Sequence, residues 1–426
     1  MNYTFRSKIS FLCLVIFIWC NFFYVHVSFA RDLSLSEIKL LNQAYKYMQK
    51  GEYKKASNIL KNYTQKNKKV HPEVFIYLAN AYMMQKKYNL AIPVLTPLAK
   101  KSLKNKDVYV MLASCYYMEK DYKNAATYFK IAYNISKNVE YLYNTGLCYY
   151  LIGKKIMAYK VLKNIINKNR NKYEWIKTYV NILLDLKKYR EALTYVILLS
   201  ESKIKDKKQY QEIRIQLYIL LKEFSAARKY LLQILENDPS EIKWWDYLIN
   251  IYLNENKYKD ALAGLIIKGY LKPYTEKEKK LIADLFMQLD IPREAVKFYA
   301  KLSPGQYKDI YLTLARCYLR LDDNKRALYF LEKALKLKKT YEIYFLKGEI
   351  LYRQKKFKQA MNAYVKAAKL SNKPYRAYLM AGYCALYAKK YILAKKFLKM
   401  AKKDKKLKKH VVSLIREISN MAKNGI

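Results

Sequence analysis

The sequence predicts an all-α solenoid of about eleven stacked helical hairpins, and three observations carry that prediction. Eleven alanines (Ala56, Ala91, Ala125, Ala158, Ala192, Ala227, Ala261, Ala295, Ala327, Ala360 and Ala394) recur with gaps of 35, 34, 33, 34, 35, 34, 34, 32, 33 and 34 residues. A second small residue usually stands twelve positions earlier: Ala44, Ala79, Ala113, Gly146, Ala283, Ala315, Gly348 and Gly382. Large rings flank both, with Tyr47, Tyr82, Tyr116, Tyr149, Tyr218, Tyr252, Phe286 and Tyr318 after the first small residue. Tyr53, Tyr88, Tyr122, Tyr189, Phe224, Tyr258, Phe357 and Tyr391 precede the second. A period near 34 filling residues 36–404 means one repeated unit rather than a row of unlike domains. Small side chains on two antiparallel helices let the backbones approach, and the rings fill the space beside the contact.

Residues 1–30 stand outside the repeat. Arg6 and Lys8 precede an apolar run over residues 9–19, and Ser28-Phe29-Ala30 puts small residues at the last and third-last places before Arg31. That is the layout of a cleaved secretory signal. The alternative is an inner-membrane anchor over residues 9–30, a stretch long enough to span, which Asn21 and His26 weaken. Neither Cys13 nor Cys20 follows the small residue that lipidation needs. Ser34 with Glu37 predicts a capping box at the start of the first helix. Turn signals at Gly51, Lys86-Lys87, Asp121, Gly153 and Asp323-Asn324 separate the helices of a pair. Pro93 and Pro97 fall inside the second helix of repeat two and predict a kink or break. Repeats five to seven put Val180, Ile215 and Ile249 in the small slot, predicting helices pushed apart and a looser middle. Trp175, Trp244 and Trp245 lie in that middle, with Trp245 read as core packing. Pro239 and Pro273 mark the ends of second helices, and Pro292 reads as a first helical position behind Asp290 as cap. Repeats nine to eleven keep the small residues best. Residues 407–424 read as a capping helix, with Val411, Leu414, Ile415 and Ile418 in one apolar stripe that covers the last repeat. Residues 395–409, just before it, hold nine lysines against one aspartate.

This grammar resembles the tetratricopeptide repeat (TPR) family, of an exported bacterial type. The third repeat (Ala113, Tyr116, Tyr122, Ala125, Phe129, Ala132) carries all of that family's signature except its proline. The 35-residue RNA-binding pentatricopeptide array is a related reading, and the small–aromatic–small order favours TPR. The resemblance implies a right-handed superhelix whose first helices line a concave groove. Carried onto this chain, that groove receives Tyr45, Met48, Ile76, Tyr77, Met83, Met84, Val110, Met111, Tyr117, Met118, Tyr143, Asn144 and Tyr150 from repeats one to four. A Met- and Tyr-rich surface suits an apolar or amphipathic peptide; for each residue the alternative is packing between repeats. Repeats nine and ten offer Arg316, Arg320, Glu349, Tyr352 and Arg353 instead, three of them arginines suited to a carboxylate or phosphate. The carboxylate clamp of some TPR proteins is absent as a set, because Tyr77 and Met111 separate Asn42 from Asn144.

The formal charge is +49, and loss of Arg6 and Lys8 with the leader leaves +47. Such a balance points to an anionic partner or to a compositional bias, the chain being rich in Lys, Tyr, Ile and Asn together. Lysines at the turns (Lys86-Lys87, Lys154-Lys155, Lys187-Lys188, Lys355-Lys356, Lys389-Lys390) align into a basic edge on a solenoid. Cys115, Cys148, Cys317 and Cys384 share one small slot of their repeats and read as buried thiols rather than bridges. His71 and His410 lie far apart in the array, and no metal-ligand spacing or Ser/His/Asp arrangement is present. Gly146 and Gly153-Lys154-Lys155 have the wrong spacing for a phosphate loop. No catalytic residue, metal or cofactor is expected. The sequence thus predicts a non-enzymatic, exported, periplasmic scaffold. It would bind a protein or peptide in the groove and serve envelope assembly or secretion. The alternative partner is an anionic lipid surface or polymer held by the lysine edges. Export removes nucleic acid from the candidates, so cytosolic RNA binding requires the leader reading to fail.

Overall fold

The computed structural model describes residues 33–101, 105–307 and 309–423, so the predicted leader or anchor lies outside the described residues. The described residues form 23 helices and no strand. They divide into two compact units at Glu223 and Phe224. The first unit contains five hairpins, each a first and a second helix: α1 (Leu35–Gln49) with α2 (Tyr53–Lys66), α3 (Pro72–Met84) with α4 (Tyr88–Lys101), α5 (Lys106–Met118) with α6 (Tyr122–Ser136), α7 (Val139–Leu151) with α8 (Lys155–Lys168), and α9 (Tyr173–Asp185) with α10 (Tyr189–Glu201). It ends with α11 (Lys207–Leu220). The second unit opens with α12 (Phe224–Asn237) and continues with α13 (Ile242–Asn254) and α14 (Tyr258–Leu271), α15 (Glu276–Gln288) and α16 (Pro292–Tyr299), and α17 (Ile310–Arg320) and α18 (Asn324–Leu337). Two last pairs follow, α19 (Tyr341–Arg353) with α20 (Phe357–Lys369) and α21 (Tyr375–Tyr387) with α22 (Tyr391–Ala401), then the single α23 (Lys408–Lys423).

The repeat slots account for this packing. All eleven periodic alanines are fully buried, as are Ala44, Ala79, Ala113, Ala283 and Ala315. Where glycine fills the first slot, a large partner sixteen residues on takes up the space. A Cβ on Gly146 would lie 2.6 Å from the Leu162 side chain, and one on Gly382 2.8 Å from Leu398. Repeat seven reverses the arrangement: Ile249 is bulky, and Gly264 on the facing helix makes room, a Cβ there standing 3.0 Å from Ile249. The expectation that Ile249 pushes its pair apart is therefore corrected, because the small residue has moved to the other helix. In repeat five, where Val180 has no such compensation, α9 and α10 approach along less of their length than α5 and α6. The division between units falls inside repeat six, whose slot holds Ile215.

Every turn inside a pair is built alike. The residue five before each periodic alanine has positive φ: Gly51, Lys86, Lys120, Gly153, Lys187, Lys222, Asn256, Asp290, Asp322, Lys355 and Lys389. In repeat two the Lys87 N–H donates to the Tyr82 carbonyl and the Lys86 N–H to the Met83 carbonyl, both at 2.9 Å. These bonds close the helix end in a Schellman turn. Asp290 is thus the left-handed turn residue and not the cap expected of it; the cap position is Ile291, with Pro292 following. An L side chain in this conformation costs about 1 kcal/mol that glycine avoids. Replacing Lys86, Lys120 or Lys187 by Gly is accordingly expected to raise stability by about 0.5–1 kcal/mol each. A urea midpoint that falls in all three variants would contradict this reading of the turn.

Other local expectations resolve individually. Ser34 and Glu37 form the capping box, and Glu37 also accepts the His71 N–H at 2.8 Å, tying α1 to the start of α3. Helix α4 runs unbroken through Pro93 and Pro97, so of the predicted kink or break the break does not occur. Both prolines are exposed, so the carbonyls they leave unbonded face water. Trp244 is buried, while Trp245 is half-buried and donates its ring N–H to the Pro239 carbonyl at 2.8 Å. The four cysteines are buried free thiols, and burial pushes Cys115, Cys148 and Cys384 up to about 12. Among the described residues no helix is long and apolar enough to cross a membrane.

One charged cluster in the second unit titrates usefully. Lys268 on α14 bridges Asp246 on α13 and Glu278 on α15. Burial opposes ionisation of Glu278, but the Lys268 ammonium and the Thr275 cap outweigh it and hold the carboxyl at about 2. A carboxyl depressed in the folded state stabilises above its unfolded pKa and loses that contribution as pH falls through the folded one. Stability is therefore expected to fall by about 1–2 kcal/mol between pH 4.5 and 2, after allowance for solvent screening. Glu278→Gln removes this step in acid unfolding; an unchanged acid profile in that variant would refute the assignment.

Candidate functional site

The candidate surface lies on the first helices of the first unit. A solvent-facing residue at a fixed register repeats every 34 or so positions, so side chains from α1, α3, α5 and α7 form a row. Tyr45 is exposed, and its ring lies near enough to Tyr77 to act on that phenol. Burial and the neighbouring Glu73 carboxylate also push Tyr77 up. Met48 and Tyr77 rest against the core of the first repeat and Met83 against that of the next, all three half-buried. Tyr117 makes an edge contact with Tyr122 at 5.3 Å, and Asn144 is half-buried beyond it. Tyr150 donates to Asp185 Oδ2 at 3.1 Å, and Lys155 pairs with the same carboxylate at 3.0 Å.

Two predicted members are not on this surface. Met111 is 2% exposed and belongs to the core of repeats two and three. Tyr143 is 7% exposed because Trp175 of the next repeat stacks on it, with ring centres 4.5 Å apart and planes at 8°. Its hydroxyl is shared with Thr178 Oγ1 at 2.9 Å. Both residues pack between repeats, which corrects their placement in a groove.

The residues that cover Tyr143 were missed as site members. Lys172 Nζ stands 3.9 Å from the Trp175 ring centre and pairs with Glu140 at 2.9 Å. Glu140 is one of four carboxylates at equivalent places near the starts of first helices, the others being Glu73, Asp107 and Glu174. A count by repeat register, rather than by residue type, finds this row in the sequence. Burial, opposed by nearby His71, raises the Glu73 carboxyl, and Asp107 adds to the rise. An acidic margin therefore runs beside the aromatic row in a strongly basic chain.

The arginines of the second unit are already engaged. Arg316 pairs with Glu342, Arg320 with Asp290 at 3.2 Å and with the Met287 carbonyl at 3.3 Å, and Arg353 with Glu349 at 3.1 Å. Each has a carboxylate partner within the protein, while its side chain stays about half exposed. Among the described residues no group of three His, Cys, Asp or Glu side chains is placed to hold a metal ion.

Comparison with known proteins bears on the family. Residues 77–138 match the tetratricopeptide repeat model. Over those residues the chain is similar to tetratricopeptide repeat proteins. Residues 118–197 and 291–367 also match the model of subunit 3 of the anaphase-promoting complex, the cyclosome. A TPR repeat-containing protein of Methanocaldococcus jannaschii is 28% identical over 349 residues, covering 80% of this chain and 56% of its own length. The chain thus spans little more than half of that curated relative. Among solved structures, the APC/C hetero-tetramer Cut9-Hcn1 gives a TM-score of 0.30 at 14% identity, covering 92% of this chain and 91% of that one. YrrB, described as a TPR protein with an unusual peptide-binding site, gives 0.35 at 18% identity, covering 43% and 97%. A tetratricopeptide repeat protein of Parabacteroides merdae gives 0.31 at 19% identity, covering 57% and 98%.

Proposed function

We propose that this protein is a non-enzymatic scaffold or adaptor that holds a protein or peptide partner along the first-helix surface of residues 33–223. The observation that carries the reading is the row of Met48, Met83, Tyr117 and Tyr150, which repeat at one register of the first helices and stay partly open to solvent, with Tyr45 and Tyr77 on the same helices. Rings with polar tips and a flexible thioether supply contact area at low ordering cost. The margin of Glu73 and Asp107 favours a partner with an apolar stripe and basic flanks. Residues 1–30 support export, to the periplasm in a cell with an outer membrane, and a role in envelope assembly or secretion. The alternative of an anchor over residues 9–30 places the same surface at the inner membrane.

The test is capture of a partner from extract of the native host by wild type and by Tyr45→Ala/Tyr77→Ala/Tyr117→Ala. These side chains are solvent-facing or half-buried, so helicity is expected to persist. The triple variant is expected to bind at least about tenfold more weakly, the loss of several aromatic anchors. Retention at wild-type strength would refute the surface.

A further inference from the structure

The solvent face of α14 is unlike that of α2 or α6. Helix α2 shows Lys54, Lys55, Asn58 and Lys61 to water, and α6 shows Lys123, Thr127 and Lys130. Helix α14 instead exposes Ala263, Ile266, Ile267, Tyr270 and Leu271, with Tyr270 at 86%. Their spacing of i, i+3, i+4, i+7 and i+8 makes a complete apolar stripe. The opposite face is already committed to the core through Ala261, Leu262 and Leu265. Leu232 on α12, at the register of Ile266, extends the patch and is also exposed. A helix apolar on both faces in a soluble repeat needs something to cover the second face.

Charge identifies what covers it. Exposed Lys229, Lys259 and Lys272 flank the stripe, against the carboxylates Glu236 and Asp260. The same chemistry recurs on α22, where Ile392 is 86% exposed and shares a shallow depression with Lys395, Lys396, Lys399, Met400 and Lys403. A second copy of this chain would bring lysine rims and two +49 charges together. The two patches differ in shape but each sets apolar side chains beside lysines, and a compliant anionic surface suits such a face. We propose that the solvent face of these second helices in residues 224–426 seats on an anionic lipid surface. Ile266, Ile267 and Leu271 enter the boundary between headgroups and acyl chains, Tyr270 sits at headgroup level, and the lysines meet the phosphates. This contact uses none of the residues of the peptide surface proposed above.

The experiment is flotation of the full-length chain with phosphatidylcholine vesicles, with and without a phosphatidylglycerol fraction. The apolar run of residues 9–19 is expected to bind both kinds, so the readout is the fraction added by phosphatidylglycerol. That fraction is expected to drop about tenfold in Ile267→Ser/Tyr270→Ser, from loss of apolar burial. It is expected to drop similarly in Lys259→Glu/Lys272→Glu and to decline with salt. Both variants change exposed positions, and an unchanged circular dichroism melt confirms that they fold. The proposal is overturned if phosphatidylglycerol adds nothing, or if the serine variant floats like wild type. It is also overturned if that variant abolishes a concentration-dependent dimer or the binding of an acidic amphipathic peptide while vesicle binding persists.

Discussion

Ending the chain after Asp404 is expected to destabilise the C-terminal hairpins by about 3–6 kcal/mol. Helix α23 is amphipathic: Val411 and Ile418 are fully buried, and Leu414 and Ile415 pack beside them on the cluster built from α19–α22. Two fully buried aliphatic side chains are worth about 1.5–3 kcal/mol each, and half-buried neighbours add to that. Truncation also opens Ala394, Leu398 and Ala401 of the last pair to water, which a repeat array does not tolerate at its end. The measurement is hydrogen exchange of amides in α20–α22. Their protection is expected to collapse toward that of fraying helices while α23 is absent. Protection unchanged in those helices would show that α23 is an appendage rather than a cap.

The second large effect is expected at Gly348. A Cβ at this position would lie 2.8, 2.9 and 3.0 Å from three carbons of the Tyr364 ring. That ring is fully buried and makes an edge contact with Phe345 at 5.1 Å, so it has nowhere to move. Gly348→Val is expected to cost about 3 kcal/mol or more, at the upper end of overpacking. Gly348→Ala loses less, because helix propensity returns about 1 kcal/mol of the clash. The decisive variant is the double Gly348→Ala/Tyr364→Leu, which recreates the alanine–leucine pairing that Ala315 and Leu331 use in the preceding repeat. It is expected to be more stable than Gly348→Ala alone by denaturant unfolding. A double variant no better than the single one would mean that the small slot and its partner sixteen residues on are not coupled.

The pairing of helices was legible because each slot is dictated by contact within a pair, and contact within a pair repeats with the sequence. The turns were legible only in part. Gly51 and Gly153 announce positive φ, but lysines hold the same conformation at Lys86, Lys120 and Lys187, where closure of the pair overrides local preference. Pro93 and Pro97 do not end their helix, and because both face water the carbonyls they leave without a partner are hydrated. Ile249 misled because its compensation, Gly264, stands on the other helix and breaks the usual order of small and large.

The candidate surface was legible as a face but not as a list. Met111 shares its register with exposed Asn42 and half-buried Tyr77 yet is buried in the core of repeats two and three, and Tyr143 is covered by Trp175 of the next repeat. Trp175 lies 32 positions beyond Tyr143, in a repeat that sequence reading treated as irregular. The pairing of the arginines was hidden for a related reason. The partners of Arg316 and Arg320, Glu342 and Asp290, come from neighbouring repeats, whereas the Arg353 pairing with Glu349 is an ordinary i,i+4 contact open to sequence.

The central claim is that partners are held by the first-helix face of residues 33–223. Site-specific photocrosslinking in the native host tests it most directly, with a photoreactive phenylalanine analogue placed at Tyr77, at Tyr117, and at exposed Thr127 on the second helix of repeat three. A discrete protein adduct from the first two positions and none from Thr127 is the predicted result. An adduct from Thr127 with none from Tyr77 or Tyr117 would contradict the account.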